Sequence, residues 1–225
     1  MSNAVGQRVR QGEGTANWPV RQGPARWGAR SDAPLVFHPG RMVEVSATGA
    51  EAALSVAVLG VREAQSAEEP TAWIGTREAG AFALDIEASG VDLSALVWIE
   101  AATPADVARA VTHLTRSGAF GCVVVDLSAV SPETASMPVP LLARLEGMCR
   151  AHNCCVLCVT ARSSEREALG PLVSLRLHAM RVEVDGEPLV DVQTLRDKRG
   201  GSLRTVRLRL AAPEGADGVR LCRAK

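Results

Sequence analysis

A phosphate-binding turn needs glycines, a lysine and a hydroxyl at fixed spacing, and this chain has the place for such a turn without the residues. The run Met42 to Val45 is β-type, and the segment after it reads Ser46-Ala47-Thr48-Gly49-Ala50-Glu51-Ala52-Ala53. In G-x-x-x-x-G-K-[ST] the backbone amides and lysine hold phosphate and the hydroxyl holds magnesium. Here there is no lysine. Thr48 and Glu51 instead have the S/T-x-x-E spacing of a capping box, in which each side chain satisfies the other residue's backbone amide. The donors that a phosphate needs are then used internally, and a carboxylate sits at the positive end of the helix dipole. The expectation is a helix start that rejects a triphosphate, no ATP hydrolysis and no bound cofactor.

Two further acids stand where catalytic groups could. Asp126 closes the β-branched run "CVVVDL", and an acid at the C-terminal end of a strand can hold magnesium. Without a loop hydroxyl and phosphates it has little to hold, and the plainer role is to cap a turn. Glu78, near the end of a strand over Thr71 to Ile74, is read likewise. Cys149, His152, Cys154, Cys155 and Cys158 fall within ten residues, but "CCVLCVT" has the unbroken apolar character of a buried strand. Cys154 and Cys158 then point to one face and Cys155 to the other, so small apolar core packing is favoured over a metal cage. His38, His113, His152 and His178 share no motif, and no Ser/His/Asp or Cys/His constellation stands out.

The elements that would position these residues alternate. A strand (Arg41 to Val45) leads to a helix (Gly49 to Gln65), the strand Thr71 to Ile74, a helix-like stretch (Gly80 to Ser89) and the strand Ala95 to Ile99. Thr103 as N-cap, Pro104 at the first helical position and Gly118 beyond the end bound another helix. Then come the strand Cys122 to Leu127, the amphipathic Pro140 to His152 and the cysteine-rich strand. "MRVEV", Asp185-Gly186, "PLVDVQTL", Gly200-Gly201 and "LRTVRLRL" read as a meander. The pattern implies an α/β domain, with a mostly parallel sheet, helices on both faces and an antiparallel extension.

Charge divides the chain. The formal net charge is +0, yet residues 1–30 carry five arginines against Glu13, and residues 196–225 carry nine basic groups against three acids. The segment between is strongly acidic. Such polarity steers acidic partners to the ends, or marks solvated tails. Residues 1–33 lack hydrophobic periodicity and read as a flexible basic arm; Trp18 and Trp27 in it either anchor a partner or dock on the arm's own domain. Residues 34–211 form the domain, and 212–225 a basic tail. No apolar run suggests a membrane span and no signal peptide opens the chain, which points to the cytoplasm.

Three stretches carry a family likeness. Gly40-Arg-Met-Val-Glu-Val45, "SGVDLSALVWIEAATPADVARAVTHLTRSGAFGCVVVDLSAV" (Ser89 to Val130), and "ALGPLVSLRLHAMRVE" with "LRDKRGGSLRTVRLRL" resemble the RecA recombinase core over roughly residues 35–210. The resemblance implies a RecA-like fold, with Asp126 as the Walker B aspartate and Glu78 as the water-orienting glutamate. The phosphate loop is about two residues shorter than the family's. The two loops that carry DNA in RecA are contracted here to "SPETASMPV" and "RSSEREALG", and the arm lacks the filament-forming helix.

A core of this size without a working nucleotide loop resembles the ImuA proteins, and secondarily the division inhibitor SulA. ImuA likeness implies a non-catalytic accessory role in SOS-inducible error-prone translesion synthesis. The implied partners are an ImuB-like Y-family polymerase homologue, RecA, and indirectly a DnaE-type polymerase. Alternatives are a SulA-like inhibitor of the division GTPase, or an ATP-binding paralogue with a divergent loop.

With no nucleotide chemistry, the basic residues are left to meet a partner. Arg196 and Lys198 resemble the RecA lysines that reach a neighbour's nucleotide, and Arg199 lies beside them. Arg207 and Arg209 form an arginine row on the final strand, either a contact surface or a blunted edge. Arg220, Arg223 and Lys225 end the chain. No aromatic interleaves with these arginines, so direct DNA binding is expected to be weak or absent.

Overall fold

The computed structural model describes residues 35–48, 50–79, 81–131, 137–211 and 220–223, the side chains of 50, 51, 209–211 and 220–223 excepted. In chain order the elements are β1 (Met42–Ala47), α1 (Ala50–Ser66), β2 (Thr71–Thr76), α2 (Ala83–Ala88), β3 (Leu96–Ala101), α3 (Pro104–Ser117) and β4 (Cys122–Leu127). There follow α4 (Val139–His152), β5 (Cys155–Thr160), β6 (Leu175–Val184), β7 (Glu187–Asp197), β8 (Thr205–Ala211) and β9 (Arg220–Arg223).

The strands form one sheet in the order β3-β2-β4-β5-β1-β6-β7-β8-β9. From β3 to β6 every pairing is parallel, and from β6 to β9 every pairing is antiparallel. Parallel strands joined through helices are covered on both faces, and β1, β4 and β5 are buried at every position. Alternate residues feed two core layers. Val43, Val45, Val124 and Leu157 pack with Ala53, Val56 and Ala57 of α1. Met42, Val123, Val125 and Val156 pack on the other face with Val107 and Val111 of α3 and Leu142 and Leu145 of α4.

Local chemistry sets the boundaries. Thr103 accepts from the Asp106 amide at the start of α3, and Gly118 ends it at φ 68°. Asp185 and Gly186, both at positive φ, close the β6–β7 hairpin as a turn of the I′ kind. Leu35, Val36 and Phe37 enter the domain by donating their amides to the Glu63 carboxylate of α1, at 2.7, 2.8 and 2.9 Å.

The architecture is the expected one, with three corrections. The helix expected over 80–89 contracts to Ala83–Ala88, because Phe82 is extended (φ −116°, ψ 134°). Cys154 precedes β5 rather than starting it. The tail expected over 212–225 contains a strand: β9 pairs with β8, Arg209 opposite Cys222. The strand holding Arg207 and Arg209 is therefore interior to the sheet, and Arg220-Leu-Cys-Arg223 supplies the backbone partners that an edge would leave open. The arm 1–33, Lys225 and the side chains of Arg209, Arg220 and Arg223 lie outside what the structure describes. Among the described residues, no helix is long and apolar enough to cross a membrane.

Candidate functional site

β1 ends at Ala47 and α1 begins at Ala50, so Thr48 and Gly49 alone connect them. Thr48 is exposed. Gly49 and the side chains of Ala50 and Glu51 lie outside the described residues, and with them the Thr48–Glu51 capping box. Ser46 is buried, and its hydroxyl donates to the Leu177 carbonyl at 3.1 Å and meets His178 Nδ1 at 3.1 Å. With that hydroxyl already donating, the His178 bond requires the proton on Nδ1. Burial, then the nearby Arg176 charge, lower the His178 pKa, consistent with a neutral ring. The hydroxyl at the end of β1 is thus occupied by β6.

Asp126 lies at the C-terminal end of β4, with β5 between it and β1, and is 1% exposed. It pairs in register with Gly75 of β2. Its Oδ1 accepts from the Ser128 amide at 3.0 Å, the bond of a turn-capping aspartate. Oδ2, Trp73 Nε1 and Ser128 Oγ are buried with no hydrogen-bond partner. Burial pushes the Asp126 carboxyl up, and Ser128 and the neighbouring Trp73 indole pull it partly back without the indole closing a bond. Glu78 is exposed in the turn after β2.

A second buried acid was not singled out by the sequence. Glu44, in the middle of β1, is 0% exposed. It accepts from Thr160 Oγ1 at 2.9 Å and from the Leu169 amide at 2.8 Å, and Arg176 Nε stands 3.7 Å away. Arg176 in turn donates to the carbonyls of Arg166 and Ser163. The network fastens the segment between β5 and β6, one of the two contracted loops, onto the sheet. A signal was available: a strand buried on both faces makes any acid within it a paired one.

The basic residues fall into two groups. Arg196 donates to the Val173 carbonyl at 3.2 Å, Arg199 to the Gly40 carbonyl at 2.6 Å, and Lys198 to the Pro171 carbonyl. Beside them Arg41 pairs with Asp197 at 2.5 Å. These carbonyls precede β1 and β6, so Arg196, Lys198 and Arg199 lie at the N-terminal ends of the parallel strands, opposite Asp126. Arg207 is held by Asp191 of β7. The cysteines Cys149, Cys154 and Cys158 share one core layer, and Cys122 and Cys155 the other. Burial first of all pushes the Cys149 thiol up to about 12.

No family model and no curated protein sequence matches the chain. Among solved structures it is similar to a crystal structure of the RadB recombinase, with a TM-score of 0.60 and 17% identity, covering 82% of this chain and 91% of that one. At that identity the likeness is one of fold. The chain is an α/β domain of the RecA-like fold, with a mostly parallel sheet and an antiparallel extension.

Proposed function

We propose that this chain is a non-catalytic RecA-like accessory protein of error-prone translesion DNA synthesis. It works by contact with an ImuB-like polymerase homologue, with RecA or with both, and with a DnaE-type polymerase only through them. Contact with RecA would also let it antagonise recombination.

The observation that carries the reading is the two-residue connection between β1 and α1. A phosphate loop wraps its anion with successive backbone amides and adds a lysine charge. Two residues provide no such wrap, and neither is lysine. The Ser46 hydroxyl, bonded to the Leu177 carbonyl, is not offered to magnesium. Asp126 is left with one oxygen on the Ser128 amide and its carboxyl pushed toward the neutral form. The nucleotide and metal of a working RecA-like ATPase therefore do not fit these residues, and what remains is the outer surface of the fold.

Purified full-length chain, presented separately to RecA and to the polymerase homologue in an immobilised-partner binding assay, tests the reading. Saturable binding to at least one is expected. Binding to neither, with both partners active, refutes it.

A further inference from the structure

Among the described residues, the parallel edge of the sheet carries an exposed aromatic cleft. β3 ends the strand order, and Trp98 on it is 40% exposed while stacking on the buried Trp73, with centroids 5.9 Å apart and planes at 10°. Phe82, just before α2, is 66% exposed, and Leu84 in its first turn is 75% exposed. Trp73, Trp98, Phe82 and Ala83 line a cleft of about 210 Å³. Large apolar side chains gathered at one exposed place mark a contact surface.

The two charged residues that line the cleft, Arg77 and Glu100, pair with each other at 2.8 Å. Three exposed acids flank the lining residues in sequence: Glu78 follows Arg77, and Asp85 and Glu87 follow Ala83 on α2. The occupant this fits is basic and aromatic. Residues 1–34 are both, with five arginines against Glu13 and Asp32, and with Trp18 and Trp27.

The chain also enters at the right place. Leu35, Val36 and Phe37 join the same core layer as Trp73 and Ile86 of α2. They are bonded to Glu63, and the adjacent Arg62 guanidinium lies 3.4 Å from where a Cβ on Gly90, just after α2, would stand. Val36 Cγ1 and Leu157 Cδ2 both lie within 3.0 Å of where a Cβ on Gly60 would stand, and Leu157 is in register with Val124, Trp73 and Trp98, three strand spacings or about 14 Å from β3. The eight residues from Trp27 to Leu35 span about 27 Å when extended. Trp27 reaches the cleft with length to spare, and Trp18 farther still.

We propose that the cleft between α2 and the β3 edge is the docking site of the chain's own N-terminal segment, a tryptophan seated on Trp98 and Phe82 and its arginines toward the exposed acids Glu78, Asp85 and Glu87. An arginine over the outer face of Trp98 adds cation–π attraction.

Amide hydrogen exchange on the full chain, at two concentrations tenfold apart, tests this. Amides around Trp18 and Trp27 should exchange at least tenfold slower than in a free peptide of the same sequence, equally at both concentrations. The protection should vanish in the double variant Trp18→Ser/Trp27→Ser and in Phe82→Ser, whose site is 66% exposed among the described residues, so the domain itself stays folded. The charge reversal Asp85→Lys/Glu87→Lys should reduce it. Free-peptide exchange in the unmodified chain would overturn the proposal. So would protection that survives Phe82→Ser in a folded protein. Protection lost on dilution would assign the cleft to a second copy and overturn it equally.

Discussion

Asp191 and Arg207 face each other across β7 and β8 and form a two-point ion pair, Nε to Oδ1 at 2.6 Å and Nη2 to Oδ2 at 2.8 Å. Half of the expected arginine row is thus matched by an acid of the same sheet. The Arg207 bond, the largest cause, holds the Asp191 carboxyl below the usual carboxylate range. A depressed folded-state pKa stabilises above the unfolded value, and that stability is lost as pH falls through the folded one. Urea unfolding from pH 7 to pH 3 should therefore show a stability gap between the native chain and Asp191→Asn that narrows on acidification. A gap constant with pH would contradict the pairing.

Glu44 and Arg176 predict a coupled pair. Breaking a buried charge pair from one side costs about 3–5 kcal/mol, whereas replacing both partners by apolar groups is often neutral. Glu44→Met should lower stability by about that amount and raise hydrogen exchange at Leu169. The double variant Glu44→Met/Arg176→Met should recover most of the loss in chemical unfolding. Additive losses would show that the 3.7 Å contact is incidental.

How much of this was legible in the sequence depends on whether local chemistry fixes the element. α3 could be read from Thr103, Pro104 and Gly118 alone, and β4 from its β-branched run, because cap and strand signals are local. β9 could not. Its four residues sit inside a charged stretch and become a strand only when the β8 edge is there to pair with. Glu44 reads as one more alternating polar position until the sheet buries both faces of β1. The stack of Trp73 on Trp98 needs the β2–β3 register, which puts the two residues opposite each other. The nearest thing to an active site was legible chiefly as missing residues, and the structure adds that the Ser46 hydroxyl is taken by β6.

Asp126→Asn should stabilise the protein near neutral pH. Its buried Oδ2 has no partner, and burial raises the carboxyl's pKa. A raised folded pKa means that stability falls as pH climbs from the unfolded toward the folded value. Removing the charge relieves this, by about 1 kcal/mol or about 2–4 °C for a domain of this size. A melting temperature lowered by the change would mean that the carboxylate has a role the turn does not explain.

Gly60 sets two effects against each other. Alanine in a helix interior is normally favoured by about 1 kcal/mol. Here an added Cβ would stand 2.8 Å from Val36 Cγ1 and 3.0 Å from Leu157 Cδ2. Overpacking a buried contact costs about 1–3 kcal/mol, so it outweighs propensity and Gly60→Ala should destabilise. Faster exchange of the Leu35 to Phe37 amides would locate the damage where the chain enters the domain. A stabilised variant would show that the entry segment yields freely.

Calorimetric titration of the full chain with ATP and magnesium tests the proposal that this RecA-like domain acts without nucleotide chemistry. No saturable heat is expected up to millimolar ATP, and the same flat trace for Asp126→Ala. Saturable binding that disappears in Asp126→Ala would contradict it and make the chain a nucleotide-binding RecA-like protein with a divergent loop.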